Sequence, residues 1–236
     1  METFIFNNKN AWEDLGIFIT KQVEFPLPQE TIDFIEVEGR SGALTIKRGT
    51  YSDLEISMEL GFLYKGFRKK IINIQKWLFN IEDNTLKFTD YMEKCYKVKK
   101  VEVSDINREI KIKGSFTAKF ICEPFLYDSI PQKNIFKTEE ILNNDSSIES
   151  YPVIKINSGE EIRDIIIKIN SKEFKLKQVS GDIIINSELL TVVTSFGENI
   201  LSKTLGNFPI ISPGRNKIIL SGIENIQITP NFRYLY

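Results

Sequence analysis

Histidine is absent from the sequence. Histidine is the usual general base near neutral pH and a frequent zinc ligand. Its absence excludes serine–histidine–aspartate and cysteine–histidine nucleophile systems, as well as zinc held by histidine. Most hydrolase mechanisms therefore lack their central residue in this chain. We expect no enzymatic activity, no cofactor and no metal site.

Cysteine is scarce, with Cys95 and Cys122 as the two examples. Both stand among apolar or β-prone neighbours, in "EKCYKV" and "KFICEPF". Free thiols are common in such buried positions, whereas a disulfide scaffold needs more cysteines. We expect two buried free thiols.

Excess charge of either sign is also missing. Lys plus Arg number 31 and Asp plus Glu number 32, which gives a net charge of −1. This balance lacks the basic footprint that drives binding to a phosphate backbone. The start "METFIFNNKNAWEDLG" is no signal peptide, and no apolar run reaches the roughly 20 residues that span a bilayer. We therefore expect a protein made in a cytoplasm, without specific nucleic-acid binding and without a membrane anchor.

The length of 236 residues, of which 42% are hydrophobic, is enough for two β-rich domains. We place the first at residues 1–130 and the second at 131–236, with the boundary near Pro131. Residues 128–150 are polar and contain "NNDSS". They are typical of a linker, with one strand near 136–142.

Alternating residues predict strands in the first domain. "FIF" at 4–6 and "IFI" at 17–19 are interpreted as an N-terminal hairpin. Apolar residues alternate with polar ones at Leu54, Ile56, Met58 and Leu60, which is the period of a strand with one buried face. Two further strands are expected at about 96–103 and 109–122, joined by a turn at Asp105 and Asn107.

One amphipathic helix interrupts this pattern near residues 65–81. Apolar residues recur there every three or four positions, at Phe67, Ile71, Ile74, Leu78 and Ile81, with Trp77 beside the stripe. Arg68, Lys69, Lys70 and Lys76 fall largely on the other side. Such a basic face is usually solvated, although an acidic partner or DNA is the alternative.

The second half has the rhythm of a β-sandwich. Short β-branched runs are separated by turn residues at intervals of about 8 to 12 residues. These runs are "YPVIKIN", "RDIIIKIN", "EFKLKQ", "DIIIN", "LLTVVTS", "NKIILSG" and "NIQITP".

The stretch "VEGRSGALTIKRGTYSDLEISMEL" at 37–60 invites two interpretations. A phosphate-binding loop needs Gly-Lys-Ser or Gly-Lys-Thr leading into a helix, whereas "GRSG" leads into a strand pattern. Strand, turn, strand, turn, strand fits better. Upstream, Pro26 and Pro28 exclude a central strand and suit a strand edge or an extended arm that reaches a neighbouring subunit.

Acidic clusters offer no better site. Four acidic pairs occur, and none stands in a sequence setting that predicts a buried acid–base pair. They are Glu36 with Glu38, Glu82 with Asp83, Glu139 with Glu140, and Glu160 with Glu161. "DNTLKFTD" lacks the central glycine and closing glutamate of an EF-hand. The chain therefore has the features of an assembly component.

Several motifs, in order, resemble the distal tail protein family of long-tailed phages. They are "IEVEGRSGALTIKRGTYSDLEISMEL", a helix ending "IQKWL", "LKFTDYMEKCYKVKKV", "GSFTAKFICEPFLYD", "YPVIKINSG", "DIIIN" and "GNFPIISPGRNKIILSG". Each is short, but their order and spacing are specific, and they cover nearly the whole chain.

The resemblance implies a mainly β fold: an N-terminal β-barrel-like ring domain with one α-helix, and a C-terminal galectin-like β-sandwich. It implies a homohexameric ring at the tail tip of a virion, joining the tail tube protein to a tail-associated hub or fibre protein, with DNA passing through the lumen. It places Gly39, Arg40, Ser41 and Gly42 at a turn that contacts protein.

A carbohydrate-binding adhesin at the tail tip is the alternative function. Sugar-binding sandwiches often use aromatic platforms, but Trp12 and Trp77, the two tryptophans, lie in the first domain. An aromatic-lined groove in residues 131–236 would favour this alternative.

Overall fold

The structure is a computed structural model and describes residues 3–110 and 112–235. The chain folds into two compact units. The N-terminal unit comprises Met1–Ser129 with Leu235–Tyr236, and the C-terminal unit comprises Ile130–Tyr234.

The described residues of the N-terminal unit form ten strands and one α-helix. In chain order they are β1 (Phe4–Phe6), β2 (Lys9–Asn10), β3 (Ile17–Ile19), β4 (Glu30–Ile35), β5 (Leu44–Tyr51), β6 (Leu54–Leu63), α1 (Phe67–Phe79), β7 (Thr85–Phe88), β8 (Lys94–Val103), β9 (Asn107–Ile110) and β10 (Lys113–Asp128).

The main sheet of this unit is antiparallel and curls into a half-barrel, with strand order β2-β1-β7-β8-β10-β6-β3. Strand β9 pairs with β10 as well. Strands β4 and β5 form a separate sheet. A mainly β fold with one helix in the described residues is therefore confirmed.

The alternation predicted in β6 is confirmed. Leu54, Ile56, Met58 and Leu60 are all buried, and the residues between them are exposed. Their side chains occupy the inner face of the strand because successive residues point to opposite faces of a sheet.

The predicted helix is also confirmed, with narrower bounds than 65–81 because Ile81 lies beyond its end. Ile74, Trp77 and Leu78 are its buried residues, so Trp77 lies within the apolar stripe. The Trp77 indole N–H donates a hydrogen bond to the carbonyl of Phe6 at 2.8 Å. Within the described residues no helix has the length and apolarity needed to cross a bilayer.

The predicted hairpin between residues 4–6 and 17–19 is wrong. Strand β1 instead turns back onto β2, while β3 pairs with β6 at the far edge of the sheet. Asn7 and Asn8 both have positive φ, at 49° and 58°. Two such residues make the tight turn of a hairpin with a two-residue loop.

The strand expected at 109–122 is displaced. Strand β10 runs from Lys113 to Asp128, and Asn107 begins β9 rather than forming a turn with Asp105. Pro124 lies inside β10, where the pairing with β8 shifts register between Cys122 and Leu126. This irregularity accommodates a residue that cannot donate a backbone hydrogen bond.

The described residues of the C-terminal unit form eleven strands and one short 3-10 turn. They are β11 (Asn134–Phe136), β12 (Glu139–Asn144), β13 (Val153–Asn157), β14 (Arg163–Ile169), β15 (Lys172–Val179), β16 (Asp182–Asn186), β17 (Thr191–Thr194), the 3-10 turn (Leu201–Lys203), β18 (Thr204–Gly206), β19 (Gly214–Ser221), β20 (Ile226–Thr229) and β21 (Arg233–Tyr234).

Ten of these strands form two five-stranded antiparallel sheets, with orders β11-β20-β13-β16-β17 and β12-β19-β14-β15-β18. Inward residues of both sheets form one hydrophobic cluster, to which β14 contributes Ile165, Ile167 and Ile169. The predicted β-sandwich is confirmed, and its galectin-like character stays a prediction.

The strand expected near residues 136–142 is present as β12, displaced to Glu139–Asn144, whereas the interpretation of the rest of residues 128–150 as a linker is wrong. This segment supplies two strands, β11 and β12, one to each sheet of the sandwich. Phe136 and Leu142 are buried in the shared core. The polar sequence between them hides this role, because the strands are held by partners far along the chain, β20 and β19.

Candidate assembly interface

Strands β4 and β5 form a ribbon that we call the arm, Glu30–Tyr51. Its register pairs Ile35 with Leu44 and Phe34 with Thr45. Within the residues that the structure describes, no third strand joins either edge. A two-stranded ribbon is marginally stable in water unless something packs on it.

Both faces of the arm carry apolar side chains. Residues paired across a ribbon share a face, and successive residues alternate. Ile32 and Phe34 therefore lie on one face, and Ile35, Leu44 and Ile46 on the other. Phe34 is 69% exposed, and the three residues of the second face are exposed as well. A soluble ribbon normally shows one polar face, so this arm has the composition of a segment covered on both sides.

Charged residues accompany this apolar surface without covering it. Lys47 Nζ lies 3.0 Å from Glu30 Oε2, and Arg48 Nε lies 2.6 Å from Asp33 Oδ2. Exposed ion pairs of this kind contribute about 0 to 1 kcal/mol, so they hold the ribbon together only weakly.

The end of the arm contains the turn predicted from the sequence. Gly39, Arg40, Ser41 and Gly42 are exposed in the loop between β4 and β5. The two glycines have φ of 78° and 82°, which residues with a side chain rarely adopt. The Arg40 N–H donates to the Val37 carbonyl at 3.1 Å. Strand, turn, strand is confirmed here, and the role of these four residues in contacting protein stays a prediction.

Pro26 and Pro28 lie in the extended connection from β3 to β4, half-buried and outside any strand. Just before them, the ring of Phe25 packs on Phe88 at 4.9 Å and on Tyr96 at 6.4 Å between centroids. Val23 is buried too. The connection is therefore fixed to its own unit up to Phe25.

The base of the arm is closed by two contacts. The Ser52 N–H donates to the carbonyl of Gln29 at 3.0 Å. The ring of Tyr51 meets that of Phe125 edge to face at 5.5 Å. The structure thus separates the prolines at the root of the arm from the glycines at its end.

Sequence reasoning missed Phe34 and Ile46 as site residues. The signal was present, because apolar residues occupy both parities in "TIDFIEV". Pro26 and Pro28 predict a strand edge or an extended arm in this part of the chain, but that prediction does not identify these two side chains as contact residues. That this strand would have a single partner depends on the topology of the whole unit.

The described residues offer little to bond-making chemistry. They contain no group of three or more Cys, Asp or Glu that would hold a metal ion. Cys95 and Cys122 are buried free thiols, and burial raises the pKa of both. The four acidic pairs of the sequence are exposed or half-buried. Buried thiols with a raised pKa, such as these two, are poor nucleophiles.

A groove of about 400 Å³ lies on the outer face of the sheet that contains β13 and β16. Its lining has amide and charged groups but no aromatic ring. The lining residues are Ile135, Lys155, Ile156, Asn157, Asp182, Ile183, Ile184, Ser195, Asn225 and Gln227. The aromatic platform that would favour the adhesin alternative is not found in this groove.

No protein-family model and no curated protein sequence matches the chain. Among solved structures, the Dit protein (gp 19.1) of phage SPP1 is similar, with a TM-score of 0.73 and 14% sequence identity. The match covers the whole of both chains. That protein is described as a paradigm of the hub adsorption apparatus in phages that infect Gram-positive hosts. At this identity the likeness is one of fold, and it confirms the resemblance seen in the sequence: from end to end, this chain has the fold of a phage Dit protein.

Proposed function

We propose that this protein is a structural component of a phage virion, located at the tail tip. Six copies form a ring that joins the tail tube protein to a hub or fibre protein, and DNA passes through the ring without specific binding. The match in fold to a phage hub protein over the full chain supports this function. The absence of histidine supports a role without catalysis.

The observation that carries the assembly is the arm. Its apolar residues lie on both faces and have no cover within the described chain. Burying a side chain such as Phe34 or Ile46 stabilises a protein by about 1.5 to 3 kcal/mol. A single copy of this chain does not gain that stabilisation, whereas an assembly that covers the arm does. Because every copy has the same arm, head-to-tail contacts repeat and close into a ring if the rotation allows.

The near-neutral net charge agrees with passage of DNA. A strongly basic channel would hold the phosphate backbone and slow its movement. With a net charge of −1, the chain as a whole neither attracts nor strongly repels DNA.

The test is the mass of the purified protein, measured by light scattering after size exclusion, with negative-stain images of the same fraction. We expect ring-shaped particles of about 160 kDa, six times the subunit mass of 27.3 kDa. The variant with both Phe34→Ser and Ile46→Ser should be folded, because both side chains are exposed, yet should elute as a monomer.

Phe196→Ser is the matched control, since Phe196 is 96% exposed in the C-terminal unit. Its mass should equal that of the wild type. Wild-type protein that stays monomeric at high concentration contradicts the proposed ring. A ring that persists in the Phe34 and Ile46 variant contradicts the part assigned to the arm.

A further inference from the structure

The outward face of α1 has an apolar centre that nothing in the described N-terminal unit covers. Ile72 is 51% exposed and Phe79 is 53% exposed. At 100° per residue these two lie within one stripe with Arg68, Lys69 and Lys76, opposite the buried Ile74 and Leu78. A helix face that only meets water has no reason to place isoleucine and phenylalanine at its centre.

The charges around this apolar centre are all positive. No acidic residue occurs between Tyr64 and Ile81. Arg68 and Lys69 lie in the first turn of the helix, which holds no acid. Cations there oppose the helix dipole, which favours anions at the N-terminal end by about 0.3 to 1 kcal/mol.

Within the part of the chain that the structure describes, these cations also lack acidic partners. Among the described ion pairs, none involves Arg68, Lys69 or Lys76. The stripe is therefore suited to receive a surface that brings carboxylates together with apolar side chains.

The end of the arm has that complementary composition. "FIEVE" at 34–38 places Glu36 and Glu38 among Phe34, Ile35 and Val37. All five are exposed, and no described ion pair involves either glutamate. Arg40, within the turn, is a cation near this acidic end.

We propose that the end of the arm docks on the outward face of α1 in a second copy of this chain. Phe34 and its apolar neighbours pack on Ile72 and Phe79, while Glu36 and Glu38 pair with the cations of the helix. The second copy is the occupant because one chain carries both complementary surfaces and leaves both uncovered. The contact is head-to-tail, so each copy gives an arm to one neighbour and receives an arm from the other.

This inference rests on the proposed ring and adds the surface on which the arm docks. It is tested by exchanging charges between the two surfaces. The acidic variant of the helix carries Lys69→Glu with Lys76→Glu, the basic variant of the arm carries Glu36→Lys with Glu38→Lys, and a third protein combines all four. All four side chains are exposed, so each protein should fold.

Sedimentation velocity over a range of concentrations gives the midpoint of assembly for each protein. We expect either exchange alone to raise this midpoint at least tenfold, because like charges then face each other. The combined protein should return to within about threefold of the wild type, since the pairs are restored with reversed polarity.

The variant with Glu160→Lys and Glu188→Lys changes the net charge by the same amount as the basic variant of the arm, at exposed sites of the C-terminal unit, and should assemble like the wild type. Rings that form equally well in all the exchanged proteins overturn the docking site and leave the proposed ring intact. Loss in both exchanges without recovery in the combined protein also overturns it. A wild-type protein that never assembles contradicts the ring itself.

Discussion

The thiol of Cys122 is enclosed in β10, with none of its surface exposed. Burial, aided by the nearby carboxylates of Asp53 and Glu123, raises its pKa to about 12, from an ordinary value of 9.0. The folded state therefore keeps the proton when the unfolded state has lost it. The stability that this thiol contributes is complete below pH 9 and is lost as the pH rises from 9 towards 12.

Cys122→Ala should remove this alkaline loss. Between pH 7.5 and pH 10, we expect the free energy of unfolding of the wild type to fall by about 1 kcal/mol more than that of the variant. Urea unfolding at the two pH values measures the difference. An equal fall in both proteins would mean that Cys122 does not contribute to alkaline sensitivity.

Gly222 is a second residue at which the local geometry permits a sharp prediction. Its φ is 79°, and a Cβ built there would lie 2.0 Å from the carbonyl oxygen of Asp164, a backbone atom of β14. Gly197 has a similar φ of 81° but open space around it. The two sites therefore share the backbone conformation and differ in the clash.

Substitution by alanine separates these two effects. Gly197→Ala should lower the free energy of unfolding by about 1 kcal/mol, the cost of a left-handed conformation for a residue with a Cβ. Gly222→Ala should lower it by about 1 to 3 kcal/mol more, because β14 must move. Urea unfolding checks both, and equal losses would show that the backbone of β14 yields without cost.

At the scale of an element, the C-terminal end of helix α1 is capped by the side chain of Asn7, which directly follows strand β1. The Asn7 Nδ2 group donates to the carbonyls of Trp77 and Asn80, at 2.8 Å and 2.6 Å. Its Oδ1 accepts from the N–H groups of Glu82 and Asp83, at 2.8 Å and 3.2 Å. One amide thus satisfies groups that a helix end leaves without partners and fixes the chain that follows.

Asn7→Ala should cost about 2 kcal/mol of stability, because four hydrogen bonds are lost at a half-buried site. Asn7→Asp keeps the acceptor but replaces the donor with a carboxylate beside the helix carbonyls. It should therefore be at least as damaging at pH 7. Thermal unfolding followed by the fluorescence of Trp77 measures both, with Trp12→Phe as background so that a single tryptophan reports.

Asn73→Ala is the control for that series, since Asn73 lies exposed on the same helix. It should be neutral or slightly stabilising, because alanine has the better helix propensity. Were Asn7→Asp as stable as the wild type, the capping of α1 by the amide would be refuted.

The elements that could be predicted from the sequence are those in which local pattern and final burial agree. In β6 and α1, the periods of two and of three to four residues identify the buried faces directly. Around β11 and β12 the sequence is largely polar, so it predicts one strand where there are two, and both strands form because β20 and β19 pair with them. Pairing of that kind depends on distant residues and has no local signature.

The candidate site shows the same division. The turn at Gly39 and Gly42 could be predicted because left-handed backbone requires glycine there. The importance of Phe34 had a partial signal in the apolar residues at both parities of its strand, but that this strand has a single partner depends on the topology of the whole unit.

For the whole molecule, the charges combine into a prediction about how assembly responds to salt. The net charge of −1 means that copies do not repel one another strongly, so added salt has little general repulsion to relieve. What remains is the local attraction between Glu36 with Glu38 and the cations of α1. Raising the ionic strength from 0.1 M to 1 M shortens the Debye length from about 10 Å to about 3 Å and weakens such attraction.

We therefore expect the midpoint concentration of assembly to rise as sodium chloride increases from 0.1 M to 1 M, as measured by sedimentation velocity. A variant with Glu36→Gln and Glu38→Gln should assemble less well than the wild type at 0.1 M salt and should change little as salt is added. Its apolar residues remain, and burial of apolar surface is not screened by ions. If added salt instead lowers the midpoint concentration of the wild type, apolar contacts alone hold the copies together. The ionic part of the arm–helix contact would then have to be abandoned.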